Sequence, residues 1–351
     1  MTETPDLFVT NFNPKFTGVS ATIAALLPHQ AKTVPLRLVG RPLPGAPDPI
    51  SVAAARRLCR QPPAERPFAI WHVRRDPEMI AALWARDVLR LPIRTVFTSA
   101  AKHRHSAFPR WLISRQDRVI ATSDEAAAFF PHVAAIVPHG VDTVRYQPAA
   151  DRRAAWSRLG YGGEEGVAII GRVRPEKGTD VFVDAMIRVM ATNARVTALV
   201  VGLAKPEDEP FRDELKARVN QAGLGGRILF PGFIDHETQT HLMPALSLVV
   251  NVARYEPFGV VPAEGMAAGT PFVCSDTGHY REFSDEGRAG LIVPPGDADA
   301  AAGAVAALLN DPDRLARMGQ RARTVAEARF SVTREAQQIG AVYEDLWSAG
   351  D

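Results

Sequence analysis

Short apolar runs alternate along this chain with longer stretches in which apolar positions recur at a helical period. The first run, Leu7–Asn11, predicts a strand. A polar loop, Asn13-Pro14-Lys15-Phe16-Thr17-Gly18, leads into a helix from about Val19. Further strands are predicted at Phe68–His72, Thr95–Thr98, Val119–Ala121 and Ala134–Val137, and Pro138-His139-Gly140-Val141-Asp142 reads as a turn. A second series opens with Val167–Ile170 and continues through Thr197–Val201, Ile228–Phe230, Ser247–Val252 and Pro271–Cys274. Helices are expected between these strands at Asp180–Met190, where Val181, Ala185 and Val189 stand one turn apart, and at Phe211–Ala222, Glu237–Leu246 and Val261–Ala268. Asp299–Leu309 and Pro312–Phe330 follow. Strand, loop and helix repeating in this way define an α/β chain with parallel sheets.

At 351 residues, two domains are expected. The stretch Gln147–Gly166, rich in Pro, Arg, Gly and Glu, marks the boundary. The expected division is 1–150, 151–330, and a last helix in 331–351 that packs back on the first domain. In doubly wound sheets ligands sit beyond the carboxyl ends of strands, so the loops after strands are where chemistry is sought. The start of the chain lacks the basic and apolar segments of a signal peptide. Cys59 and Cys274 read as reduced core residues, which fits a soluble cytoplasmic protein. Charge is uneven: residues 1–150 carry a balance of +8 and residues 151–351 a balance of −6. A basic first half suits an anionic partner or simply reflects an arginine-rich composition. No recognition motif accompanies the charge, so nucleic acid is not expected.

Two segments of the second half carry candidate chemistry. Glu256-Pro257-Phe258-Gly259-Val260-Val261-Pro262-Ala263-Glu264 runs from a strand end into a helix start. Gly259 permits close approach of backbone to a ligand, the helix N-terminus suits phosphate, and the two carboxylates can accept hydrogen bonds from vicinal hydroxyls. A helix-dipole role for Glu264 and a solvated Glu256 are the plainer readings. Gly171-Arg172-Val173-Arg174-Pro175-Glu176-Lys177-Gly178 is the second segment. Arg172 as a planar fork and Lys177 as a point charge suit a diphosphate; a solvated basic turn is the alternative.

Taken together, Arg172…Lys177, Glu256…Glu264, Gly269-Thr270-Pro271 and Gly278…Glu282 resemble glycosyltransferase family 4, and Pro138–Asp142 looks like that family's segment before the interdomain linker. The resemblance covers nearly the whole chain and is strongest over 165–300. It implies the GT-B fold: two Rossmann-like doubly wound domains facing across a cleft, the first for the acceptor and the second for a nucleotide sugar. It implies that Arg172 and Lys177 bind the donor diphosphate, that Glu264 binds the ribose, and that Glu256 meets the transferred sugar beside the backbone N–H groups of Phe258, Gly259 and Val260. Gly18 would approach the phosphate from the first domain. Transfer with retention, with no metal and no cofactor, is also implied, and no Asp-x-Asp motif stands on a strand-end loop. Asp297-Ala298-Asp299 has that spacing, but it reads as the cap of the helix that follows. Two positions depart from the family: Ser99-Ala100 stand where members often carry a histidine, with His103 or His105 as candidate substitutes, and Gly278-His279 replaces two glycines.

Within the family, Asn11–Val19, Trp71–Met79 and Lys102–Ser106 are similar to bacterial lipopolysaccharide core mannosyltransferases. These enzymes place mannose from GDP-mannose on a Kdo residue of the inner core. Kdo is anionic and lipid-linked, so Arg74, Arg75, Lys102 and Arg104 are candidate acceptor cations; Arg74-Arg75 as a solvated turn before Pro77 is the alternative. Lys102–Arg115 mixes cations with Phe108, Trp111, Leu112 and Ile113, which fits either a peripheral segment on the cytoplasmic face of the inner membrane or an ordinary helix with Trp111 and Leu112 in the core. A UDP-glucose or UDP-galactose hexosyltransferase of the same fold, and a non-catalytic sugar-nucleotide-binding protein, are the other readings.

Overall fold

The computed structural model describes residues 4–100, 104–256 and 258–349. The chain forms two compact units, residues 1–140 with 330–351, and residues 141–329. Residues 141–150 therefore belong with the second unit, whose start at Val141 precedes the Pro- and Arg-rich stretch.

The first unit runs β1 (Leu7–Asn11), α1 (Gly18–Gln30), β2 (Leu36–Gly40), α2 (Val52–Leu58), β3 (Ala69–Val73), α3 (Asp76–Leu83), β4 (Ile93–Ser99), α4 (Ala107–Ser114), β5 (Arg118–Ala121), α5 (Asp124–Ala127) and β6 (Ala135–Ile136). A π-helical turn, Trp84–Val88, extends α3. The strands form one parallel sheet in the order β2-β1-β3-β4-β5-β6. Its central strands β1 and β3 are buried throughout because helices cover both faces. Leu112 and Ile113 of α4 pack with Met79 and Ala82 of α3 on one face. On the other face α1 packs with the last helix of the chain, Val332–Ser348, through Ile23, Leu27, Ile339 and Tyr343.

The second unit contains α6 (Arg152–Leu159), β7 (Glu165–Ile170), α7 (Thr179–Met190), β8 (Val196–Val201), α8 (Glu209–Gln221), β9 (Ile228–Gly232), α9 (His236–Ala245), β10 (Leu248–Asn251), α10 (Val260–Ala267), β11 (Phe272–Ser275), α11 (Tyr280–Ser284), β12 (Gly290–Val293), α12 (Ala298–Leu309) and α13 (Pro312–Arg329). Its parallel sheet is ordered β12-β11-β10-β7-β8-β9, the dinucleotide-fold order with its switch point between β7 and β10. The first sheet has the flavodoxin-like order, with its switch point between β1 and β3. Elements absent from the expected set include β2, α2, α5, α6, α11 and β12, and α6 forms inside the stretch read as the domain boundary. Asp297 caps α12, its Oδ1 accepting from the Ala300 N–H at 2.8 Å. Cys59 and Cys274 are buried free thiols.

Candidate functional site

Two polar loops leave the switch point of the second sheet side by side, one after β7 and one after β10. Gly178 lets them touch. Its φ is +68°, and a Cβ there would stand 2.0 Å from the Val252 carbonyl oxygen. Arg254 fastens the pair from the other loop: its guanidinium donates to Asp180 at 2.7 and 2.8 Å and to the Pro175 carbonyl at 2.5 Å. A 3-10 turn over Pro175–Lys177 then carries the Lys177 side chain to Glu256, Nζ to Oε2 at 2.6 Å. Both side chains are mostly covered, at 22% and 12% exposure, so their attraction is less screened than that of a surface pair. Arg172, at the start of the same loop, is exposed.

Beyond Glu256 the chain turns into α10 through Gly259, whose φ is +101°. A Cβ at this position would lie 2.0 Å from Cε1 of Tyr280, so the turn closes on an aromatic ring that leaves no room for a side chain. Phe258 is buried beside His279, ring centroids 4.9 Å apart, and its carbonyl accepts from the His279 N–H at 3.1 Å. The departure Gly278-His279 thus supplies a packed ring under the loop. Val260 is the first residue of α10 and is exposed. A helix start of this kind leaves backbone N–H groups without intrahelical partners.

Glu264 lies in the second turn of α10, not the first, and its residue is 9% exposed. Burial pushes its carboxyl up to about 8, against the opposing effect of hydrogen bonds with Tyr146 and Gln239. Gln239 Nε2 donates to its Oε2 at 2.6 Å. A buried carboxyl held by an amide and a phenol is more than a helix-dipole partner. Sequence reading missed both neighbours: Gln239 sits on α9 and Tyr146 just after the turn at Pro138–Asp142, and nothing local marks either.

In the first unit the expected acceptor residues take different positions. Arg75 donates to Asn11, Glu78, Thr17 and Ser20 at 3.0 to 3.2 Å, bracing the β1 and β3 ends at the switch point. The fully buried Glu78 also receives Thr10, the Phe12 N–H and the Arg74 N–H. Arg74 is partly buried, and its Nη1 is sealed without a hydrogen-bond partner among the described residues. Neither arginine is a solvated turn. Arg104 is exposed, and His105 packs against Phe130. Lys102 and His103 lie outside the described residues. Gly18 opens α1, and a Cβ there would meet nothing within 4 Å, so packing does not explain the glycine. In α4, Leu112 and Ile113 enter the core while Phe108 and Trp111 are exposed and stacked at 6.2 Å. Among the described residues no three metal-ligating side chains cluster.

Two doubly wound units, with paired polar loops and a helix N-terminus at a switch point, are the architecture of a GT-B glycosyltransferase. Residues 155–325 match the family model for glycosyl transferases group 1, and the chain belongs to that family of enzymes. It is 38% identical to the lipopolysaccharide core biosynthesis mannosyltransferase LpsB of Rhizobium meliloti (strain 1021), over 97% of each chain. It is 37% identical to the enzyme of the same description, LpcC, of Rhizobium leguminosarum bv. viciae, over 97% of this chain and 96% of that one. Among solved structures, Anabaena Alr3699/HepE in complex with UDP superposes with a TM-score of 0.81 at 20% identity, covering 97% of this chain and 100% of that one, a likeness of fold.

Proposed function

We propose that this glycosyltransferase moves mannose from GDP-mannose, with retention, to a Kdo residue of a lipid-linked lipopolysaccharide inner core at the cytoplasmic face of the inner membrane. The observation that carries the reading is the near-full-length identity to two core mannosyltransferases. The loops after β7 and β10 support the donor assignment. Arg172 and Lys177 receive the diphosphate, Glu256 the mannose hydroxyls, and Glu264 the ribose. The N–H groups of Phe258, Gly259 and Val260 lie beside the sugar, and Gly18 meets a phosphate. As the C1–phosphate bond breaks, negative charge gathers on the leaving diphosphate, where two cations and a helix N-terminus stabilise it without a metal. The acceptor oxygen bonds to C1 on the face the phosphate leaves, and its proton passes to the departing phosphate oxygen.

Lys177 reaches the donor already paired with Glu256. That pair orients the cation, and it holds the Glu256 carboxyl group in place as an acceptor for sugar hydroxyls. On the acceptor side Arg74 and Arg104, with Lys102, are assigned to the Kdo carboxylate and lipid phosphates, while the internal bonds of Arg75 make it a brace for that surface. His103 is proposed in place of the family histidine.

The test is a donor panel. GDP-mannose should raise the melting temperature more than UDP-glucose or UDP-galactose, because a ligand of the native state stabilises it by mass action. Mannose transfer to a Kdo-lipid acceptor should persist in excess chelator. Stabilisation and transfer with a UDP-hexose instead would replace the donor assignment.

A further inference from the structure

On one face of the first sheet, α2, α3 with its π-helical extension, and α4 form a single helical layer. Arg56 of α2 donates to the Ala81 carbonyl of α3, and Arg86 of the π-helical turn donates to the Arg115 carbonyl that ends α4. Met79, Ala82, Leu112 and Ile113 seal the inner side of this layer. Its outer side is apolar where a surface helix is ordinarily polar. Ile80, Trp84 and Val88, four residues apart in succession, are 46%, 51% and 54% exposed. On the neighbouring helix Phe108 and Trp111 are each 56% exposed and stacked on one another. Large exposed aromatics grouped on one face mark an interaction site.

The charges of the layer are one-sided. Arg57, Arg60 and Arg90 are exposed. Of the acids on α3 and its extension, Glu78 is fully buried, Asp87 is matched by Arg86 at 2.7 Å and Arg115 at 3.8 Å, and the half-buried Asp76 stands at the first position of α3, against the positive end of that helix. Apolar anchors ringed by arginines are complementary to a bilayer with anionic headgroups, where tryptophan settles at the headgroup level. The same face fits a second copy of itself poorly, because a two-fold contact would set arginines against arginines.

The geometry points to this outer surface of the α2–α3–α4 layer as a bilayer-docking face for anionic phospholipid, with Trp84 and Trp111 as its inserting anchors. It deepens the lipid-linked acceptor reading and rests on it for the presence of a membrane. The face extends beyond the Lys102–Arg115 segment: Ile80, Trp84 and Val88 lie on α3 and its π-helical extension, earlier in the chain, which only the packing of α3 against α4 brings alongside.

The chain carries its own probe. Trp71, Trp156 and Trp347 are buried in the two units, so contact with lipid can reach only Trp84 and Trp111. The full chain is mixed with phosphatidylcholine vesicles, with or without phosphatidylglycerol, whose acyl chains are brominated. Expected are flotation with the phosphatidylglycerol vesicles, a blue shift and quenching of tryptophan emission, and weak binding to phosphatidylcholine alone. Trp84→Phe/Trp111→Phe should float and lose the quenching. Trp84→Ser/Trp111→Ser should lower partitioning at least about tenfold, and Arg57→Gln/Arg60→Gln should flatten the dependence on phosphatidylglycerol. Flotation of the wild type without quenching, no flotation at all, or a dimer that the serine variant abolishes would each overturn the assignment. GDP-mannose calorimetry on the same samples separates the two readings. Donor binding without vesicle binding removes only the docking face, and vesicle binding without donor binding removes only the mannosyl donor.

Discussion

Replacing Glu264 by glutamine isolates one buried charge. The carboxyl's ordinary value is 4.5, and burial pushes it up to about 8 in the folded chain. Between these values the folded state holds a proton that the unfolded state has lost, so stability is greatest below pH 4.5 and declines as pH rises towards 8. At about 1.4 kcal/mol per pH unit, moving from pH 5 to pH 8.5 should cost the wild type roughly 4 kcal/mol through this group alone. Glutamine is uncharged throughout and can still accept the Gln239 amide with its carbonyl. Glu264→Gln should therefore sit close to the wild type at pH 5 and become the more stable protein by pH 8.5. Urea unfolding of both proteins at pH 5, 7 and 8.5, followed by circular dichroism, reads the difference, and titrations common to the two cancel. A stability gap that does not change with pH would refute the reasoning, because Glu264 would then not be the group that titrates. The same substitution has a functional arm. If ribose hydroxyls donate to this carboxylate, donor binding at pH 7 releases a proton, seen in calorimetry as a heat that varies with the buffer, and Glu264→Gln removes it.

Arg172→Ala and Lys177→Ala should each lower kcat/KM for transfer about 10²- to 10³-fold while the circular dichroism spectrum is kept; wild-type turnover in either variant removes the diphosphate assignment. Gly259→Ala asks for a side chain at φ +101° and sets its Cβ 2.0 Å from the Tyr280 ring, so residues 141–329 should lose at least about 2 kcal/mol in a denaturant titration. An unchanged midpoint would mean that the α10 start relaxes freely.

What the sequence determined by itself was local. Alternation of apolar runs with helical periods is enforced within a dozen residues, so the α/β class, most strands, and the segments holding Arg172, Lys177, Glu256 and Glu264 were legible from the sequence. Edge elements were less so. In β2 the exposed Arg37 interrupts an already short run, because an edge strand need not be apolar on every side, and the four residues of β12 are too few to carry a period. The tertiary structure alone decided which loops meet. Lys177 and Glu256 are 79 residues apart, and they touch because β7 and β10 pair at the switch point, a choice made by the whole sheet. It also decided how charges are spent. Burial of Glu264 against Gln239 and Tyr146 raises a carboxyl that looks ordinary in sequence, and Glu78 draws Arg75 inward from what reads as an open basic turn. Trp111 turns outward because Leu112 and Ile113 fill the space against α3. Solvation and charge pairing depend on every neighbour at once, and those neighbours come from distant segments that only the folded chain brings together.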